Sequence, residues 1–379
     1  MDFDLDADQQ MLCETVRRFV ADKVMPQARI WDREERLPAA VLHECAEMGL
    51  LGIQIAAEWD GAGLGAVALA AVVETLARGD AALAFAVMSH NAQVAGHIGG
   101  LGSPAQKERY LQRLAAGTGR GGFAELEASS PAGADLVATP EGRGWRLHGA
   151  KTCLAGAAGD FFVVLAKTAA ASGAPGVLAF VIDAGTPGLT LRPAQDKLGF
   201  RACDAAVLVF DRVLVGEAER LGGDGRVDAS MQELQQGAWV QGAALAVGIA
   251  HGALEAARRY ALERKQFGKP IAELQAIQWK LADAATARDA AERLVYRAAW
   301  LQDRGLLTGY TAATARLCAA RAAMLAADEA VQIFGGYGYT AEFPVERFYR
   351  DAKSCALVLG PAEAARAVAA SHVLHQAQP

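Results

Sequence analysis

Two long alanine-rich stripes restrict what the C-terminal third of this chain can become. Leu274, Ile277, Leu281, Ala284, Ala287, Ala291, Leu294, Ala298 and Leu301 step by three and four, as do Leu317, Ala320, Met324, Ala327, Val331 and Phe334. That period puts each set on one helical face. Small side chains let such faces approach closely, which predicts a helical bundle. The second stripe stops at Gly335-Gly336, a helix C-terminus. The first third is also helical in pattern and rich in alanine, interrupted at "EWDGAGLGA", Glu58 to Ala66. No β-rich run leads into those glycines, so they read as a helix-breaking loop and not as a dinucleotide fingerprint. From about Trp145 the texture changes to short runs such as "DFFVVLAKT", "GVLAFVID" and "AAVLVFDRVLVG", separated by Gly, Pro, Ala and Asp. These read as strands of a small β domain. The predicted order is helices, β domain, helical bundle, an α+β chain.

Composition narrows the partners. Of 379 residues 53% are hydrophobic and 21% charged, which fits a packed globular protein and excludes a disordered one. A net charge of −6 without a long basic run offers no footprint for nucleic acid or an anionic membrane. The start, "MDFDLDADQQ", is acidic and polar, the reverse of a signal peptide, and predicts a cytosolic protein. The cysteines (Cys13, Cys45, Cys153, Cys203, Cys318, Cys355) are scattered and have no nearby His at ligand spacing. They predict small buried hydrophobes, with no metal and no disulfide framework.

At "ERKQFGKPIAELQAIQ" (Glu263 to Gln278) and "AVQIFGGYGYTAEFPVERFYRDAK" (Ala330 to Lys353) the sequence resembles the acyl-CoA dehydrogenase family of flavoproteins. "AEMGLLGIQIAAEWDGAGLG" and "DKLGFRACDAAVLVFDRVLV" extend the resemblance over almost the whole chain. It implies an N-terminal α-helical domain (1–118), a middle β-sandwich or barrel domain (119–225) and a C-terminal four-helix bundle (226–379). It also implies bound FAD, an acyl thioester substrate on CoA or a carrier protein, and a homodimer or homotetramer. In that family an R-x-x-F-G motif and a Q-x-x-G-G motif meet across a subunit interface on the pyrophosphate and adenosine end of FAD. Arg264, Gln266, Phe267, Ile271 and Gln275 match the first, and Gln332, Gly335 and Gly336 the second. A planar guanidinium suits a phosphate, and glycines let backbone approach it.

The flavin-ring contacts depart from the family. Where relatives carry T-E-P-x-A-G-S-D this chain has "ASSPAGAD", Ala128 to Asp135, so Ser129 and Ser130 either take over ring contacts or are turn residues. Where relatives carry W-I-T, it has Cys153, Leu154 and Ala155.

Dehydrogenation of an acyl thioester needs a carboxylate to take the Cα proton. Counting from Asp351-Ala352-Lys353 to the family's catalytic Glu arrives at Leu359, followed by Gly360 and Pro361. The family's second location for a base, on the first bundle helix, holds Ala238, and the Arg beside it is Trp239. Ala238, Trp239 and Leu359 are therefore expected in the substrate pocket. Trp239 either shapes it for an aromatic acyl group or fills core volume. Three readings follow. The preferred one is a flavin-dependent oxygenase or oxidase, with molecular oxygen as reactant. The second is a dehydrogenase whose base has moved to Glu233, five residues before Ala238 and rotated off its face, where a solvated helix charge is the competing role. The third is a non-catalytic FAD-binding scaffold.

Overall fold

The computed structural model describes residues 5–124, 135–169, 175–194, 196–223, 227–357 and 362–375. Ser129, Ser130, Leu359 and Pro361 lie outside the described residues.

Seven helices form the N-terminal layer: α1 (Ala7–Phe19), α2 (Ala28–Glu34), α3 (Ala39–Glu47), α4 (Ala66–Ala77), α5 (Ala81–Met88), α6 (Gly96–Leu101) and α7 (Pro104–Ala115). Their starts are written locally. Asp6 with Gln9, and Ser103 with Gln106, make reciprocal capping boxes at α1 and α7. Between α3 and α4 the Gly-rich segment is the expected loop, with one 3-10 turn at Ala57–Trp59.

Among the described residues eight strands follow: β1 (Gly121–Ala124), β2 (Val137–Glu141), β3 (Gly144–Cys153), β4 (Phe161–Ala169), β5 (Pro175–Asp183), β6 (Leu189–Pro193), β7 (Ala206–Val215) and β8 (Arg220–Leu221). They form one mixed sheet in the order β6-β7-β3-β1-β4-β5-β8, with β2 pairing β3 and β4. These strands make up the middle β domain expected from sequence, joined by continuous strand pairing. One face encloses a core of its own, in which Leu147, Phe162, Phe180, Ile182, Leu208 and Phe210 meet. The other packs Phe161, Val163 and Val181 on Val94, Ile98 and Leu114 of the helical layer. Alternation along β4, with Phe161 and Val163 outward and Phe162 and Val164 inward, serves both faces at once.

The bundle comprises α8 (Val227–Glu263), a two-strand hairpin β9 (Lys265–Gln266) and β10 (Lys269–Pro270), α9 (Gln275–Asp303), α10 (Gly309–Phe334), α11 (Val345–Cys355) and α12 (Ala362–His375). Ala284, Ala291 and Ala298 of the first stripe are buried in the largest core; on α10 the most buried face runs through Ala319, Ala323 and Ala327, so that Leu317, Ala320, Met324 and Val331 of the expected stripe are only partly buried at its edge. From Ser230 to Glu263, α8 is apolar and long enough to cross a membrane, yet 83% of its most apolar window is buried inside the protein. Gly248 of α8 shows why it can run so close to α4, since a Cβ there would lie 2.3 Å from the carbonyl oxygen of Glu74. Glu74 itself, 2% exposed, ties three helices together. It accepts from the Tyr296 hydroxyl at 2.9 Å and pairs with Arg78 and His251. Burial opposes its ionisation, but His251 and Arg78 outweigh that and hold its carboxyl below the usual range.

Candidate functional site

The surface at the end of α8 is built by a hairpin that folds back on itself. Arg264 donates its N–H to the Tyr260 carbonyl at 2.8 Å, and its own carbonyl receives the Ile271 N–H at 2.9 Å. Phe267 (φ 53°) and Gly268 (φ 81°) make the turn between β9 and β10, both in the left-handed conformation that a two-residue hairpin loop requires. A phenylalanine accepts that backbone at a cost, and its ring is 91% exposed. Only an external contact would recover the apolar exposure.

The second motif is adjacent. α10 ends at Phe334, and Gly335 follows at φ 60° and ψ −134°, a conformation reserved for glycine. Nothing lies within 4 Å of where a Cβ would stand on Gly335 or Gly336, so this backbone is bare to an approaching group. Four aromatic rings join the motifs. Tyr260 stacks on Phe334 at 4.1 Å, Phe343 lies 5.5 Å from Phe334 and 5.2 Å from Tyr337, and the Arg264 guanidinium is 5.9 Å from the Tyr337 ring.

Arg264, Gln266, Phe267, Gln275, Gln332, Gly335 and Gly336 are all exposed on this surface. A guanidinium, three carboxamides, an aromatic ring and unobstructed glycine backbone fit the phosphates and adenosine of FAD. Ile271 is the exception. It is 7% exposed and packs into the bundle core, so it pins the turn and does not present itself to a cofactor. Sequence reading passed over Tyr260 and Phe343. Tyr260 stands one helical turn before Arg264, and that spacing was the available signal.

The region that the family resemblance marks for the reaction, reached along α11, lies where all three layers meet. Phe200, from the segment before β7, donates its N–H to Asp351 at 2.7 Å and stacks on Phe85 of α5 at 5.3 Å. Cys203 donates to the Ala82 carbonyl at 3.3 Å, and Arg347 to the Gly79 carbonyl at 2.9 Å. Burial raises the Asp351 carboxyl to about 7; the Phe200 N–H and Arg347 oppose the rise, and Asp80 adds to it.

At the other end of α11, burial raises the Cys355 thiol while the Arg316 charge pulls it down. Arg316, 4% exposed, lies 5.3 Å from the Trp239 ring. Arg316 therefore links α8 beside Ala238 to the C-terminal end of α11. At the end of β3, Cys153 turns its thiol into the sheet core and donates to the Ala155 carbonyl at 3.1 Å. Leu154 packs on the main core instead.

A cavity of about 590 Å3 between α6, α8 and the α9–α10 turn is lined by Ala238, Glu233, Leu234, Asn91 and Gln302 among others. Glu233 is exposed and Ala238 is 5% exposed, so this carboxylate stands at the wet rim and not in a dry pocket. Five residues of helix separate the two by ~7.5 Å along the axis and ~140° around it. Trp239, expected in the pocket, does not line this cavity; it is 3% exposed within the main core. Among the described residues no three His, Cys, Asp or Glu side chains gather as metal ligands.

Comparison with known proteins agrees with this layout. Family models for the acyl-CoA dehydrogenase N-terminal, middle and C-terminal domains match residues 6–118, 122–213 and 224–374. The short-chain specific acyl-CoA dehydrogenase of Clostridium acetobutylicum is 36% identical over 372 residues, covering 97% of this chain and 98% of that protein. A glutaryl-CoA dehydrogenase from Mycobacterium smegmatis solved with FADH2 superposes at a TM-score of 0.89, with 26% identity over 99% of this chain and 96% of that one. The prolyl acyl carrier protein oxidase AnaB superposes at 0.90, with 28% identity over 98% of this chain and 100% of that one. A cofactor surface built from two matched motifs, a bundle that carries it and family matches along nearly the full length place this chain in the acyl-CoA dehydrogenase family of FAD-dependent oxidoreductases.

Proposed function

We propose that this flavoprotein removes two hydrogens from a short acyl-CoA thioester, as a dehydrogenase. Near-complete coverage by a short-chain specific acyl-CoA dehydrogenase carries this reading. It displaces the oxygenase that the vacant base positions had favoured. Bound FAD supplies the two-electron acceptor. Arg264, Gln266, Phe267, Gln275 and Gln332, with the backbone of Gly335 and Gly336, hold its phosphate and adenosine end. The ring of Phe267 and that of Tyr339, 90% exposed, are covered by a second copy of the chain. Glu233 takes the Cα proton from the rim of the cavity beside Ala238. A wet carboxylate is a poorer base than one in a dry pocket, and a well-placed base is worth ~10²–10⁴ in rate, so turnover is slow.

Anaerobic mixing of the purified protein with butyryl-CoA tests the reading. Flavin bleaching and an enoyl thioester formed with an artificial electron acceptor are expected, with bleaching at least ~10-fold slower in Glu233→Gln. Leu359→Glu should bleach faster than the wild type. The second reading is an oxidase, favoured by Leu359 and by the likeness to AnaB. A product formed only in the presence of oxygen, and unaffected by Glu233→Gln, would establish it instead.

A further inference from the structure

A second cavity, of about 970 Å3, lies between the first two helices, the C-terminal half of α8, and α11. It shares no lining residue with the cavity beside Ala238, and none of Arg264, Phe267, Gln332, Gly335 or Gly336 reaches it, although Tyr260, Phe334 and Phe343 of the aromatic cluster behind those motifs form one of its walls. Its wall is rich in guanidinium groups, and most are already spent. Arg17 pairs with Glu14, Arg201 with Glu35, Arg259 with Glu255, and Arg350 with Asp32 and Glu346.

Arg29 and Arg33 are different. They stand one turn apart on α2, both exposed, and neither makes an ion pair among the described residues. Like charges at that spacing repel each other. Deeper in the wall, Arg347 is 8% exposed, and its Nε is buried without an acceptor although Nη2 reaches the Gly79 carbonyl at 2.9 Å. The Nε of Arg78 is likewise buried without an acceptor. A buried donor left unmatched costs free energy. The rest of the wall mixes apolar groups, Met25, Val20, Tyr260 and Phe343 among them, with the carboxylates of Glu263 and Glu342 and those already paired with arginines. The volume suits a small molecule.

We propose that this cavity binds a phosphate-bearing small molecule, its anionic group held by Arg29, Arg33 and Arg347 and its remainder lying against Tyr260 and Phe343. The inference is independent of which reaction the flavin performs. Inorganic pyrophosphate, ADP and coenzyme A are titrated calorimetrically into FAD-saturated protein, so that the cofactor surface is already occupied. Saturable binding of pyrophosphate or ADP is expected, weakened at least ~10-fold in the Arg29→Ala/Arg33→Ala variant, whose flavin spectrum and probe-free melting temperature should match the wild type because both side chains are exposed. Equal binding of pyrophosphate and ADP means that phosphate alone is recognised; tighter ADP means that the aromatic wall takes the base. Three results would overturn the proposal: no saturable binding of either probe, binding unchanged in the double variant, or binding of coenzyme A alone in competition with acyl-CoA. A double variant that alters only the assembly state would overturn it too, by making this face a contact between copies.

Discussion

The cofactor surface and the reaction region are built on opposite physical terms. At the cofactor surface the informative groups are exposed: Phe267 is 91% exposed, Gly335 and Gly336 have open space where side chains would stand, and Arg264 meets only the edge of an aromatic cluster. At the reaction region they are buried, with Trp239 and Asp351 both 3% exposed and Cys153 fully covered. The first surface is left open within the chain. The second is filled from within. A surface that waits for a ligand keeps the residues the ligand demands, whereas a packed interior accepts any set that fills the same volume. Here Trp239, Arg316 and Leu154 fill that volume.

Replacing Trp239 by Ala is the harshest way to break this contrast. An indole at 3% exposure in the main core, with Arg316 against its face, should cost ~3–5 kcal/mol when truncated. The expected result is a large fall in melting temperature with FAD occupancy per folded chain unchanged. A small fall accompanied by a wider range of accepted acyl groups would instead make Trp239 a pocket wall.

Arg264→Ala probes the other side. Because Arg264 is exposed, its loss should leave the stability of the isolated chain nearly unchanged. Charge-assisted hydrogen bonds are worth ~1.5–3 kcal/mol, so FAD should bind ~10–100-fold more weakly. If assembly weakens in step with FAD loss, the surface is shared between copies. Loss of FAD with assembly intact would restrict the motif to one chain.

The same contrast explains what could be read in advance. The alanine stripes and the Val-, Leu- and Phe-rich runs carry their periods in the sequence, and both became helices and strands at the expected places. The hairpin turn was not read in advance, because a Phe-Gly pair does not announce the positive φ that Phe267 and Gly268 both adopt. The fate of Ile271 was not, since a motif match says nothing about which way a side chain points. Nor was the strand order: which strand pairs with which across 121–221 depends on non-local contacts, and alternation is the same for any order. The convergence of Ala238 with the end of α11 passes through Arg316, a residue that no local pattern marks.

Titration offers the gentlest and most local test. The Asp351 carboxyl, raised to about 7 chiefly by burial, binds its proton more tightly folded than unfolded, where an ordinary carboxyl titrates near ~4. A raised folded value stabilises fully below the unfolded one, and that contribution is lost as pH climbs towards 7. Wild-type stability from denaturant unfolding should therefore decline between pH 4 and pH 7 by at least ~1 kcal/mol on this account. Asp80, buried and raised in the same way, adds to the decline, while Arg347 restrains both. Asp351→Asn keeps an oxygen to receive the Phe200 N–H but has no proton to lose, so its stability should vary less over this range and equal or exceed the wild type at pH 8. FAD affinity should be insensitive to the substitution, because Asp351 belongs to the buried region and the cofactor motifs to the exposed one. An unchanged pH profile in Asp351→Asn would mean that the carboxyl is ionised when folded and that Arg347, not burial, sets its state.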